Sequence, residues 1–177
     1  MNKKYIKKRK GYIFVEAAIS ICISLCVMLS VASAMENSTK IIEKDDCYVE
    51  LYEQANEIER FIKREMRNSE SIKFYKGNTI ISADEEFRNI DRIELSQYLK
   101  NESGTIYNEK LSIRISSSNN KISVHKGGSV YEIGTYIDTL QVRQYKVGKT
   151  VELKLVMKLD DSLYEKFISI RMRNVRN

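Results

Sequence analysis

The sequence predicts an α+β protein in which a long N-terminal helix packs on an antiparallel β-sheet. Three observations predict it. The chain contains no proline, so no backbone donor is missing along any helix it forms. Between Tyr12 and Asn68 the apolar residues first run together and then recur in steps of three and four. Beyond Asn68 the apolar period changes from 3.6 to 2. At 177 residues, 42% hydrophobic and 31% charged, the chain has a globular balance and room for one ordinary domain plus an appendage.

The formal charge of +6 is local. Residues 1–11 hold Lys3, Lys4, Lys7, Lys8, Arg9 and Lys10 and no acid, and the remaining 24 basic and 24 acidic residues balance. Net charge alone therefore gives no reason to expect nucleic-acid binding. Positive charge beside an apolar stretch instead predicts that this end stays cytoplasmic.

Residues 12–35 form that stretch, 24 residues with Glu16 as the one charge. As a helix they reach roughly 36 Å, enough to cross the hydrocarbon core. Three readings are open. Val31-Ala32-Ser33-Ala34 offers the small-x-small pattern of a signal-peptidase site, with release after Ala34. An uncleaved single-pass anchor with an extracellular domain is the second reading. Both leave Glu16 unexplained, although a carboxylate deep in a membrane helix costs about 2.5–3.5 kcal/mol on insertion scales and usually has a partner.

The third reading accounts for it. Lys8-Arg9-Lys10-Gly11-Tyr12-Ile13-Phe14-Val15-Glu16, followed by about twenty apolar residues, resembles the N-terminal signature of type IV prepilins. The resemblance implies cleavage after Gly11 by a prepilin peptidase, with Tyr12 as the new and usually methylated N-terminus. It implies that Glu16, the fifth mature residue, pairs with a terminal amine during filament assembly. A fresh α-amino group is largely protonated at neutral pH, and once buried it requires a counter-charge. Tyr12 stands where phenylalanine is commonest, Ile13-Phe14-Val15 replaces a threonine-leucine sequence, and no mid-helix proline occurs. These departures point to a minor pilin or pseudopilin rather than a major pilin.

From Tyr48 onward, Leu51, Tyr52, Ala55, Ile58, Phe61, Ile62 and Met66 make one helical stripe. Asn37-Ser38-Thr39 and Asp45-Asp46 are poor helix formers that could host a bend. Alternation then predicts strands at 71–75, 79–83, 92–99, 105–108, 111–116, 121–126, 130–137, 151–159 and 164–173. Short links imply one antiparallel meander covered by the helix stripe. The organisation expected is a leader at 1–11, a transmembrane and filament-core helix at 12–35, an amphipathic continuation at 36–68 and a β-sheet domain at 69–177. The Glu50–Asn68 segment, the many short strands and the closing Ile170-Arg171-Met172-Arg173-Asn174 resemble minor pseudopilins of the PilW and type II secretion J-like kinds.

No catalytic, cofactor or metal cluster is legible, and the expectation is a protein that is not an enzyme and has no cofactor. His125 is the single histidine, beside a Gly-Gly turn, and a zinc site or a Ser/Cys-His triad has little support. Cys22 and Cys26 read as small packing residues on one helical face, and Cys47 as a lone thiol. Asp84-Glu85-Glu86 and Asp160-Asp161 lack a calcium-loop pattern. Residues 140–177, with nine basic and four acidic side chains, leave a mildly basic face including Tyr145, Tyr164, Arg171, Arg173 and Arg176. Such an excess is ordinary for a soluble sheet edge; DNA is a candidate partner without further support.

The function expected is that of a structural subunit of a type IV pilus, or of a related type II secretion or DNA-uptake filament. Its partners would be prepilin peptidase, other pilin or pseudopilin subunits, an inner-membrane assembly platform, and membrane lipid before assembly. The expected location is the cytoplasmic membrane, N-terminus inside and C-terminal domain outside, and then the cell surface. The alternative is an adhesion or DNA-binding module at a filament tip.

Overall fold

The computed structural model describes residues 3–81, 86–100, 103, 105–116, 118–144 and 150–172; the side chains of residues 3–11 and of Lys100 lie outside that description. The chain divides into two compact units, Met1–Asp45 and Asp46–Asn177. Helix α1, Lys3–Asn68, contributes to both. It begins before Tyr12, where the apolar pattern alone would start it.

Residues 37–39 and 45–46 are helical, and the helix runs through them without a break. The Ser38 hydroxyl donates to the Ala34 carbonyl at 2.9 Å and the Thr39 hydroxyl to the Met35 carbonyl at 3.0 Å. Hydroxyls that would compete with the helix are thereby turned back onto it.

The second unit holds ten strands: β1 Ser71–Lys76, β2 Thr79–Ile81, β3 Arg88–Ile90, β4 Arg92–Lys100, β5 Ile106–Ser116, β6 Lys121–Lys126, β7 Ser129–Gly134, β8 Ile137–Gln144, β9 Thr150–Leu159 and β10 Ser162–Arg171. The α+β architecture is the one predicted. The single meander is not: the strands divide into a six-stranded sheet, β2-β1-β4-β5-β6-β7, and a four-stranded sheet, β10-β9-β8-β3, every pair antiparallel.

The chain changes sheet three times, from β2 to β3, from β3 to β4 and from β7 to β8, and hydrogen bonds fix the β3–β4 and β7–β8 passages. At the former, Asp91 separates β3 in one sheet from β4 in the other. Its amide donates to the Tyr75 carbonyl at 3.0 Å, and its own carbonyl accepts from the Ile115 amide at 2.8 Å. Its carboxylate also accepts from the Gly77 amide. At the latter, Tyr136 cuts the predicted 130–137 strand into β7 and the start of β8. Tyr136 has φ 63°, a left-handed conformation rare for a bulky residue. Bonds from Lys158 N to its carbonyl, 2.8 Å, and from Ile137 N to the Asn120 carbonyl, 2.9 Å, hold it there.

One core joins the layers. Leu51, Ala55, Ile58, Ile62 and Met66 of the helix are fully buried, in the predicted stripe. The first sheet contributes Phe74, Ile93, Leu95, Leu111, Ile113, Ile122 and Val124; the second contributes Leu140, Val142, Val151, Leu153, Leu155, Met157, Ile168 and Ile170. Within this unit the helix packs on β7, β9 and β10. Gln54 tightens the contact by accepting from the Thr135 amide at 3.0 Å and its hydroxyl at 3.1 Å.

The helix end is closed by side chains. Ser69 Oγ donates to the Glu65 carbonyl at 2.7 Å, and buried Gln97 Nε2 donates to the same carbonyl at 3.2 Å. These bonds satisfy a terminal carbonyl that the helix leaves unpaired.

On β10 the row of Ile168, Ile170 and Met172 continues to Tyr164 and Lys166, towards the helix. Lys166 Nζ lies 2.8 Å from Asn56 Oδ1 and 3.0 Å from Glu59 Oε2, and Glu59 also pairs with Lys63 one turn on. Desolvation acts to raise the Glu59 pKa, but the hydrogen bonds and charges of Lys63 and Lys166 outweigh it and hold the carboxyl below its ordinary value. The Glu59 hydrogen bond in turn holds Lys166 above its ordinary value, against desolvation.

The signs follow from proton linkage. A depressed Glu59 pKa contributes stability that is complete above the unfolded value of 4.5 and is lost as pH falls through the folded value. A raised Lys166 pKa contributes below 10.5 and is lost as pH rises through the raised value. Glu59→Gln is expected to flatten both limbs of a melting-temperature profile against pH. Unchanged acid and alkaline limbs in that variant would show that the pair makes no such contribution.

Candidate functional site

The sequence places its candidate residues on the first turns of the apolar part of α1. Gly11, Tyr12 and Glu16 are all helical, so Tyr12 and Glu16 stand at i, i+4, on one face and one turn apart. Tyr12 is 74% exposed, Glu16 is exposed, and among the described residues Glu16 makes no ion pair.

Around them the surface is apolar. Ile13, Phe14, Val15, Ile19, Ile21, Ile23, Leu25, Met28, Leu29 and Val31 are each more than half exposed. The helix is long and apolar enough to cross a membrane, and its most apolar window is wholly unburied within the chain. Its polar side chains are turned inward on the backbone: Ser20 Oγ donates to the Glu16 carbonyl at 2.9 Å and Ser30 Oγ to the Cys26 carbonyl at 2.8 Å. In an apolar medium such back-bonding removes the cost of an unsatisfied hydroxyl. Among the described residues Glu16 has no comparable partner.

Cys22 and Cys26 are exposed on this helix and Cys47 is half-buried, all three as free thiols. Asp160 and Asp161 form the β9–β10 turn, where Asp160 has φ 51°. Asp84 and Glu85 lie outside the described residues. Among the described residues no group of three or more His, Cys, Asp or Glu side chains is placed to hold a metal ion.

Of the basic face read from the C-terminal sequence, only Tyr164 and Arg171 are among the described residues. Tyr164 packs edge-on against Tyr48 and Tyr52, with centroids 5.4 and 6.0 Å away. Arg171 is exposed at the end of β10, and Tyr145, Arg173 and Arg176 lie outside the described residues.

Sequence reasoning leaves one grouping unseen. The register puts His125 directly opposite Ser112, Ser112 opposite Glu94, and Glu94 opposite Lys73. These residues come from four strands, and no local pattern connects them. The neighbour of His125 on the other side is Val130, so no carboxylate stands there to orient the imidazole as a triad requires.

Compared with protein-family models, with curated proteins and with solved structures, the chain matches none.

Proposed function

We propose that the protein is a minor pilin or pseudopilin: a membrane-anchored subunit, cleaved after Gly11, that leaves the bilayer to become part of a type IV pilus or a related secretion or DNA-uptake filament. One observation carries this reading. A carboxylate, Glu16, lies five residues beyond a glycine that ends a basic leader, on a helix whose apolar surface is uncovered in the single chain.

An exposed apolar helix needs lipid or other helices around it. A lone glutamate is tolerated among such neighbours when a cation meets it, and the ammonium released at Tyr12 would lie one helical turn away. With subunits staggered along a filament, the carboxylate of one could reach the amine of the next, fixing register as a lone polar group does in a coiled coil. The leader residues 1–11 would direct insertion, and the unit from Asp46 onward would face other subunits. Prepilin peptidase, the assembly platform and neighbouring subunits are the partners this role requires.

Intact-mass measurement of the chain recovered from membranes tests the cleavage. The expected N-terminus is Tyr12, carrying either a free or a methylated amine. A chain that begins at Met1 would make it a plain anchor. One that begins at Met35 would make it a secreted protein.

A further inference from the structure

The outer face of the six-stranded sheet carries a depression of about 270 Å³ that the filament reading does not use. Cross-strand pairing builds it. Lys73, Glu94, Ser112 and His125 form one row, and Ser71, Ser96 and Lys110 form the next on the same face. Directly paired side chains lie about 4.5–5.5 Å apart at Cβ. The three short serines therefore make a floor between the longer lysine, glutamate and histidine side chains. All seven residues line the depression.

The polar groups there are unevenly satisfied. The Glu94 carboxylate holds the Tyr75 phenol above its ordinary pKa and lies 3.6 Å from Arg92 Nε, so its charge is engaged along its own edge. Lys73 and Lys110 have no ion-pair partner among the described residues. The Ser112 hydroxyl oxygen is buried and has no hydrogen-bond partner among them, an uncommon state for a buried polar atom.

We propose that this depression binds a small solute through an oxyanion, a phosphate or a carboxylate. Such a group accepts from serine hydroxyls and from ammonium groups together, and bonds to a charged acceptor are the stronger kind. The volume lies just below the usual range of about 300–1,000 Å³ for ligand pockets, which limits the occupant to a compact molecule.

The test is an NMR titration of the full-length protein in neutral detergent, with inorganic phosphate and separately with glucuronate, at constant ionic strength held with chloride. Saturable shifts are expected at Ser71, Ser96, Ser112 and His125. Binding of phosphate alone, or of glucuronate alone, assigns the oxyanion. K73E combined with K110E is expected to weaken binding at least about tenfold, and Ser112→Val at least about threefold. If the charge reversals disturb folding, K73M with K110M keeps the aliphatic stems and serves in their place. No saturation by about 50 mM of either anion, well beyond a millimolar site, would overturn the proposal. So would lysine variants that titrate like the parent.

Discussion

Glu16→Ala is expected to insert in the membrane and be cleaved after Gly11, yet to enter filaments at no more than about a tenth of the parental level. Removing one partner of a buried ion pair costs about 3–5 kcal/mol, because the other charge remains buried and alone. Here the survivor would be the Tyr12 ammonium. Membrane insertion should not suffer, since deleting a carboxylate from an apolar helix makes insertion more favourable.

The measurement compares the variant's share in sheared filaments with its share in membranes, with the N-terminal mass checked in both fractions. Glu16→Asp, which keeps the charge on a shorter arm, should recover part of the loss. Assembly of Glu16→Ala at the parental level would remove the register role while leaving the cleavage question to the mass measurement. A variant no longer cut after Gly11 would show instead that Glu16 serves the peptidase.

Gly134→Val is expected to destabilise the folded unit by about 1–3 kcal/mol, the usual range for overpacking a filled core. A Cβ at Gly134 would stand 2.5 Å from Ile58 Cδ1, 2.9 Å from Ile58 Cγ1 and 3.3 Å from Ile122 Cγ2. Ile58 and Ile122 are fully buried, so neither can swing aside. This glycine is needed for close approach between helix and strand, because its φ is not among the positive values. Gly127 and Gly128 make the contrasting case: a Cβ there meets nothing, and their φ values of 56° and 85° are the constraint.

Chemical denaturation of Gly134→Ala, Ile58→Val and the double variant isolates the contact. The double change is expected to be less harmful than the sum of the single ones. Simple additivity would mean that the helix and β7 do not meet at this point.

The helix and the cores of the strands were legible because their signals are local. The stripe Leu51, Ala55, Ile58, Ile62 and Met66 obeys a period set by helix geometry, and Val151, Leu153, Leu155 and Met157 obey one set by the pleat. Strand β8 carries no legible alternation, for an equally local reason. A register shift between Ile137 and Thr139 puts its buried residues at 137, 140 and 142, so the alternation breaks where it would have been counted. Strand β3 is three residues long, too short to carry a period. Alternation puts Lys166 on the face of Ile168 and Ile170, but its pairing with Glu59 and Asn56 spans more than a hundred residues and has no local signal.

By itself the sequence determined the apolar N-terminal helix with its single carboxylate, the amphipathic stripe that follows, and the α+β class. It did so because each depends on residues a few positions apart. Only the tertiary structure decided that the strands form two sheets, that Tyr136 and Asp91 mark two of the three crossings between them, and that Lys73, Glu94, Ser112 and His125 share a row. Those facts rest on pairing between segments distant in the chain. The register that brings them together is a property of the whole packed core and is written in no single stretch of it.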